Sequence, residues 1–106
     1  MKTAPDITYV KRKSEPIIPQ TTILWQNYPN PFNPKTSIRY SIRSNLDVSI
    51  KVYDLLGKEI ATLVNEKKPA GAYTVEFDAS KLSSGIYFYQ LQAGDFIETK
   101  KMILMR

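Results

Sequence analysis

Three stretches of this chain alternate strictly between apolar and polar residues, namely Ser37–Ile42, Asp47–Asp54 and Ala72–Asp78. Successive side chains of a strand point to opposite faces, so a period of two with polar alternates predicts strands that bury one face. The residues predicted to point inward are Ile38, Tyr40, Ile42, Val48, Ile50, Val52, Tyr73, Val75 and Phe77. No stretch shows the i, i+3, i+4 spacing of an amphipathic helix. The chain is therefore predicted to be all-β.

Turn signals separate these stretches, and the clearest is Asp54–Lys58 (DLLGK). An aspartate that opens a type I turn can accept hydrogen bonds from backbone N–H groups, and Gly57 can adopt the positive φ that closes the turn. The sequence thus predicts a hairpin here. We expect at least one of Leu55 and Leu56 at its tip to fold back onto the core.

The C-terminal third continues the β pattern. Ile86–Gln92 is apolar on both faces in its first half, which is typical of a central strand. Ala93–Asp95 predicts a tight turn, Phe96–Met105 a last strand, and Leu82 an anchor for a crossover between sheets. About seven strands with regularly spaced turns predict a small antiparallel β-sandwich of immunoglobulin-like type.

Ahead of the first alternating stretch lies Gln26–Pro34 (QNYPNPFNP), here called the proline–asparagine segment; it holds three of the seven prolines. Proline fixes φ and disfavours helix in the residue before it, so the segment is predicted to be extended or turning. If it were a polyproline II helix, its period of three would place Asn27, Asn30 and Asn33 on one edge. We interpret the segment as a stiff loop in which Phe32 or Tyr28 plugs one end of the core. A proline-rich ligand for an SH3- or WW-like groove is the alternative.

Composition narrows the possible functions, because the 106 residues include no cysteine and no histidine. Disulfides, thiolate metal sites and a cysteine nucleophile are excluded, and the commonest general base is missing. No catalytic residues and no cofactor are predicted, and the protein is not expected to be an enzyme. Four aspartates at strand ends could in principle meet around calcium, but aspartate at a turn usually caps backbone, so no metal is predicted. They are Asp47, Asp54, Asp78 and Asp95.

The net charge is +5, yet the lysines and arginines are dispersed, with adjacent cations only in three short groups. Such short groups are typical of solvated faces or protected strand edges, so nucleic-acid binding is not predicted. No apolar run approaches the length of a transmembrane helix, and the N-terminus lacks the apolar core of a signal peptide. Residues 1–22 are predicted to be a linker, and residues 23–106 the folded domain.

Five ordered blocks from Ile23 to Arg106 together resemble the type A C-terminal sorting domain of the type IX secretion system (Por secretion system). The blocks are QNYPNPFNP, VYDLLGKE, AGAYTVEFDA, SGIYFYQL and KKMILM. The resemblance implies a β-sandwich at the C-terminus of proteins that Bacteroidetes and related bacteria export through the periplasm to the cell surface or medium. It implies an address read by an outer-membrane translocon and carried to an attachment complex, whose sortase-like peptidase removes it. It also implies a cargo domain and a signal peptide upstream.

In that family the last strands carry much of the sorting information, which implies translocon recognition by ten residues here. They are Gly85, Tyr87, Tyr89, Leu91, Gly94, Lys100, Lys101, Met102, Ile103 and Leu104. A C-terminal strand with a free edge can add to another sheet. A compatible interpretation is that Lys100 and Lys101 protect the strand edge from pairing and that Met102–Leu104 lie in the core. Any cleavage site is expected within Met1–Thr22.

The alternative function is that of an immunoglobulin-like binding module for glycan or protein in a secreted or cell-surface protein. It requires an exposed aromatic platform, which Tyr53, Tyr87 and Tyr89 could supply, although aromatic residues in alternating strands more often lie in the core. The VYD-x-x-G hairpin is also similar to one in the sandwich of flagellar hook-capping proteins. Exposure of the three tyrosines distinguishes the binding module from the sorting domain.

Overall fold

The computed structural model describes residues 21–106, so predictions for Met1–Gln20 lie outside the described residues. The described part forms seven strands, as predicted. Their bounds are β1 Ile23–Leu24, β2 Lys35–Ile42, β3 Leu46–Tyr53, β4 Glu59–Lys68, β5 Gly71–Asp78, β6 Gly85–Ala93 and β7 Phe96–Leu104.

The strands form two antiparallel sheets packed face to face. One sheet has three strands in the order β1-β2-β5, and the other has four in the order β4-β3-β6-β7. The chain crosses between the sheets after β2, after β4 and after β5, while β3–β4 and β6–β7 are hairpins within the larger sheet. This arrangement confirms the predicted all-β, immunoglobulin-like sandwich. Among residues 21–106 there is no helix of the length and hydrophobicity needed to cross a membrane.

The core lies between the two inner faces and follows the predicted alternation. In β2 and β3 every apolar residue of the predicted inward set is buried, and in β5 Phe77 is buried while Tyr73 and Val75 are partly buried against the core. β6 lies between β3 and β7, as expected of a strand that is apolar on both faces. The buried apolar residues are Leu24, Phe32, Ile38, Tyr40, Ile42, Val48, Ile50, Val52, Val64, Phe77, Ala79, Tyr87, Tyr89, Leu91, Ala93, Met102 and Leu104.

The predicted hairpin at Asp54–Lys58 forms, but its tip does not reach the core. Asp54 Oδ1 accepts hydrogen bonds from the N–H groups of Leu56 and Lys58, both at 2.9 Å, and Gly57 has φ = +87°. The expectation that Leu55 or Leu56 folds back is wrong, because their side chains are 63% and 93% exposed. The tip lies beyond Tyr53 and Glu59, the last β3–β4 pair.

The β5–β6 connection crosses from the smaller to the larger sheet, and Leu82 within it is partly buried against the core. The prediction that Leu82 anchors a crossover is therefore confirmed. At the same end of the sandwich, the proline–asparagine segment joins β1 to β2 and reaches across to β7 in the other sheet. Pro34 O accepts a hydrogen bond from Ala79 N, in the β5–β6 connection, at 2.8 Å. That contact positions the candidate site.

Candidate functional site: the C-terminal hairpin and its cap

The C-terminal hairpin consists of β6 and β7, which pair in register from Ala93 opposite Phe96 to Gly85 opposite Leu104. Gly94 and Asp95 form the two-residue turn, and Gly94 has φ = +59°, the left-handed region that glycine adopts without steric cost. A Cβ at Gly94 would also lie 3.1 Å from Leu46 Cδ2. The turn therefore requires glycine, which sets the register of the hairpin.

The ten residues that the resemblance implies for recognition all lie on this hairpin, but they differ in exposure. Five are buried with inward-pointing side chains: Tyr87, Tyr89, Leu91, Met102 and Leu104. Gly85, Lys100 and Ile103 are partly buried, and Gly94 and Lys101 are exposed. The structure thus brings the set together in one hairpin and buries half of it.

β7 is an edge strand, and the proline–asparagine segment covers the C-terminal half of its outer edge. Phe32 N donates to Ile103 O and Phe32 O accepts from Met105 N, both at 2.9 Å. Asn30 Oδ1 accepts from Ile103 N at 2.9 Å, and Gln26 Nε2 donates to Lys101 O at 2.7 Å. Pairing with another strand is therefore blocked along this part of the edge.

The hydroxyl of Tyr89 joins the segment to the larger sheet. It accepts a hydrogen bond from Asn27 N and donates one to Trp25 O, both at 2.7 Å. Burial raises the pKa of Tyr89 to about 12, and the hydrogen bond from Asn27 opposes part of that shift. The hydroxyl therefore stays protonated, and able to donate, throughout the physiological pH range.

Inside the segment a second polar contact fixes its path. Asn27 Nδ2 donates to Thr36 Oγ1 at 2.9 Å and to Pro29 O at 3.1 Å, and Thr36 Oγ1 donates to Pro29 O at 2.9 Å. Asn27 and Thr36 are buried, and every buried side-chain nitrogen and oxygen within residues 21–106 has a hydrogen-bond partner. A buried polar network that is fully satisfied favours one conformation of the backbone around it.

Phe32 is the residue of the segment that fills the end of the core. Its side chain is 1% exposed and its ring centroid lies 6.2 Å from that of Phe77, whereas Tyr28 is 81% exposed. The predicted common edge of the three asparagines does not form, because Asn27 is buried while Asn30 and Asn33 are exposed. With Phe32 buried and the backbone bonded to β7, the segment is part of the fold and does not present a groove ligand.

At the end of the chain, Arg106 contacts the β5–β6 connection. Its Nη1 donates to three carbonyl oxygens, those of Ala79, Ser80 and Leu82, at 2.8 to 3.1 Å. Its backbone N–H donates to Ser84 Oγ at 3.0 Å. The residues that follow β7 are therefore held against the sandwich from both sides, by this connection and by Phe32.

Sequence reasoning did not identify Gln26, Asn30 and Arg106 as contacts of the hairpin. The repeated Asn-Pro pairs drew attention to the segment, but local turn chemistry explains such pairs equally well. Nothing local in the sequence indicates that Gln26 and Asn30 bond to a strand more than 70 residues away. These contacts depend on the way the two sheets meet.

Neither the calcium site nor the aromatic platform takes shape in the described residues. Within residues 21–106 no three acidic side chains are grouped so that they could hold a metal ion. Asp78 Oδ1 instead accepts from Ser80 N at 2.9 Å, and hydrogen bonding by Ser80 lowers the pKa of Asp78. Tyr87 and Tyr89 are buried, so they cannot form an exposed platform with Tyr53.

The architecture defines an immunoglobulin-like sandwich whose C-terminal hairpin is capped by a proline–asparagine segment. The family model described as "Secretion system C-terminal sorting domain" matches residues 26–105. The chain therefore belongs to the family of C-terminal sorting domains of type IX secretion. No curated protein matches the chain.

Among solved structures the chain is similar to part of PorZ from Porphyromonas gingivalis, described as an essential bacterial surface component of the type IX secretion system. The TM-score is 0.54 with 16% sequence identity, and the match covers 80% of this chain and 11% of that one. At this identity the likeness shows a shared fold. The chain spans about a tenth of the length of the PorZ chain.

Proposed function

We propose that this domain is a non-catalytic export address, recognised by an outer-membrane translocon through its C-terminal hairpin. Membership of the sorting-domain family supports the role of a secretion signal. The single observation that carries the proposed location is the position of β7, a C-terminal strand at the edge of the larger sheet. Edge strands present main-chain groups and alternate side chains that a partner can read.

The exposure of the hairpin residues divides them into two roles. The exposed and partly buried residues are available for contact with the translocon: Gly85, Gly94, Lys100, Lys101 and Ile103. The buried residues act through the fold, since Tyr89 holds the proline–asparagine segment and Met102 and Leu104 anchor β7 in the core. Replacing a buried residue would then impair export by unfolding the signal, whereas replacing Lys101 would alter the signal itself.

The fate of the domain after export is part of the same proposal. A sortase-like peptidase of the attachment complex removes the domain by cutting within the linker of residues 1–22. The cargo then stays at the cell surface or enters the medium. A cut there precedes β1, which begins at Ile23, so the seven strands would remain together. The peptidase supplies the chemistry, and the domain supplies recognition.

The test is an export assay with a fluorescent protein that carries a periplasmic signal peptide and is fused to residues 21–106. We expect it to appear at the surface or in the medium of a bacterium with an active type IX system, and to remain periplasmic in an isogenic strain without the translocon. The fluorescent protein alone is the control. Retention of the fusion in both strains, with the domain shown to be folded, would refute the proposed function.

A further inference from the structure

Within residues 21–106, no strand pairs with the N-terminal half of the outer edge of β7. Both main-chain groups of Ile103 point away from β6, because they bond to Asn30 and Phe32. Main-chain groups of a strand alternate in direction, so those of Lys101, Thr99 and Ile97 point the same way. Among the hydrogen bonds formed within residues 21–106, none reaches the outward N–H or C=O of Thr99 or Ile97. The open edge is thus Ile97–Lys100 together with the N–H of Lys101, since the C=O of Lys101 already accepts from Gln26 Nε2.

Two opposite charges lie on the inward side of this edge, and Lys101 adds a second positive charge on the outward side. Glu98 and Lys100 lie on the inward side of the sheet, are partly buried, and pair with each other at 3.2 Å. The intervening Thr99 and the flanking Ile97 point outward, and Ile97 is 57% exposed. An edge guarded by lysines alone would repel a second copy of itself. On the inward side, this edge has one charge of each sign on either side of Thr99, so that side is self-complementary.

We propose that the open edge pairs antiparallel with the same edge of a second copy of this chain, about a two-fold axis through Thr99. Thr99 then lies opposite its own copy, Ile97 opposite Lys101, and Glu98 opposite Lys100. Both charged residues gain a cross-strand partner of opposite sign. About four main-chain hydrogen bonds form: two between the Thr99 copies, and one from each Lys101 N–H to the Ile97 C=O of the other copy, since the C=O of Lys101 already accepts from Gln26. An interface of this kind is isologous, as two-fold symmetry requires.

Charge selects this register over its neighbours. The neighbouring registers that keep each side chain on its own face shift one strand by two residues relative to the other. Such a shift moves the two-fold axis by one residue, from Thr99 to Glu98 or to Lys100. It would then place Glu98 opposite Glu98 or Lys100 opposite Lys100, and like charges directly opposite are destabilising. The proline–asparagine segment limits the pairing at the other end, because Asn30 and Phe32 occupy the edge at Ile103.

The opposite edge of the same sheet lacks these properties, although it carries a similar ion pair. In β4, Lys68 and Glu66 pair at 3.0 Å across Lys67. A two-fold axis there would place Lys67 opposite Lys67. The β3–β4 pairing also shifts register at two points, and such bulges twist an edge away from flat pairing. The inference therefore concerns β7 alone, and it does not depend on the proposed function.

The first test is the mass of the purified domain in solution, measured by sedimentation equilibrium from about 10 μM to 1 mM. One strand pair makes a small interface, so we expect a weak dimer with a Kd on the order of 10–100 μM. Circular dichroism and a thermal melt of each variant confirm folding. A domain that stays monomeric up to 1 mM would overturn the proposal and leave the edge to a strand of another protein.

Charge reversal tests the register. Glu98→Lys and Lys100→Glu should each raise the Kd at least tenfold, because each places like charges opposite each other. The double variant E98K/K100E restores both cross-strand pairs and should return the Kd to within about threefold of the wild-type value. Glu66→Lys on β4 is the matched control and should leave the Kd unchanged. Loss of the dimer in E66K but not in E98K would assign the interface to β4 and overturn the proposal.

A disulfide cross-link locates the axis directly. The chain has no cysteine of its own, so any disulfide must form at the single cysteine that is introduced. Opposed residues of a hydrogen-bonded antiparallel pair have Cα atoms about 5.5 Å apart, within the range of a disulfide. Thr99→Cys should therefore form an interchain disulfide with oxidised glutathione as oxidant. Thr74→Cys, an exposed position on β5, should not. Equal cross-linking of both variants would indicate random collision and count against the proposed axis.

Discussion

Tyr89→Phe removes one oxygen atom and disconnects the proline–asparagine segment from the larger sheet. The Tyr89 hydroxyl makes two hydrogen bonds of 2.7 Å, one from Asn27 N and one to Trp25 O. Phenylalanine keeps the ring in place, so the substitution creates almost no cavity. The measured loss of stability therefore reports the two hydrogen bonds.

The size of the loss follows from the burial of the two partners. Asn27 is 2% exposed, so its N–H group loses its partner without access to water, which costs about 1–3 kcal/mol. Trp25 is partly exposed, so its carbonyl can be rehydrated and its bond contributes about 0.5–1.5 kcal/mol. The free energy of unfolding should thus fall by about 1.5–4.5 kcal/mol. For a domain of this size that is a large fraction of the total stability.

Urea denaturation followed by tryptophan fluorescence measures this loss, since Trp25 is the only tryptophan. With an m-value of about 1.5 kcal/mol/M, the midpoint should fall by about 1–3 M. Tyr28→Phe is the matched control, because Tyr28 is 81% exposed, and it should change stability by less than about 0.5 kcal/mol. A loss for Tyr89→Phe no larger than that of the control would refute the role given to the hydroxyl.

Three further predictions concern stability. Phe32→Ala should lower the free energy of unfolding by about 3–5 kcal/mol in the same urea assay, because it empties a fully buried site; a loss below about 1 kcal/mol would contradict the role of Phe32 as plug. Asp54→Ala should cost about 1 kcal/mol through the loss of the two turn hydrogen bonds, whereas the exposed Asp95→Ala should be nearly neutral. Between pH 10 and 12 the domain should lose up to about 2.7 kcal/mol, since Tyr89 has a pKa of about 12 when folded and about 10 when unfolded. The folded state keeps a proton there that the unfolded state releases, so stability present below pH 10 is lost as pH rises; equal alkaline slopes for wild type and Tyr89→Phe would contradict this.

The strands with one buried face could be predicted from the sequence, because one-sided burial leaves a local mark. β2, β3 and β5 show the two-residue period directly, and their inward residues are those of the core. β4 is harder to predict from the sequence, since the register shifts against β3 interrupt the two-residue period of its side chains and place apolar residues side by side. In the structure β4 extends to Lys68, over a polar stretch that gives no strand signal of its own.

The arrangement around the hairpin could not be predicted, because its causes are distant in sequence. Asn27, Asn30 and Asn33 have the same local pattern, yet only Asn27 is buried. The difference comes from Tyr89, whose hydroxyl lies on β6 more than 60 residues away. Leu55 and Leu56 lie at the hairpin tip, beyond the last β3–β4 pair. Whether such a turn residue reaches the core depends on how the two sheets meet, which its local sequence does not encode.

The measurement that tests the central claim most directly is the export of two charge-reversal variants in a strain with an active type IX system. Lys101→Glu changes an exposed residue of β7, and Lys67→Glu makes the same change at an exposed position of β4. Both are expected to fold, as thermal melts of the purified domains should show. If the translocon reads the C-terminal hairpin, the surface and medium fraction of the fluorescent fusion falls several-fold for Lys101→Glu and stays at the wild-type level for Lys67→Glu. Equal export of the two folded variants would contradict the claim that the address is read there.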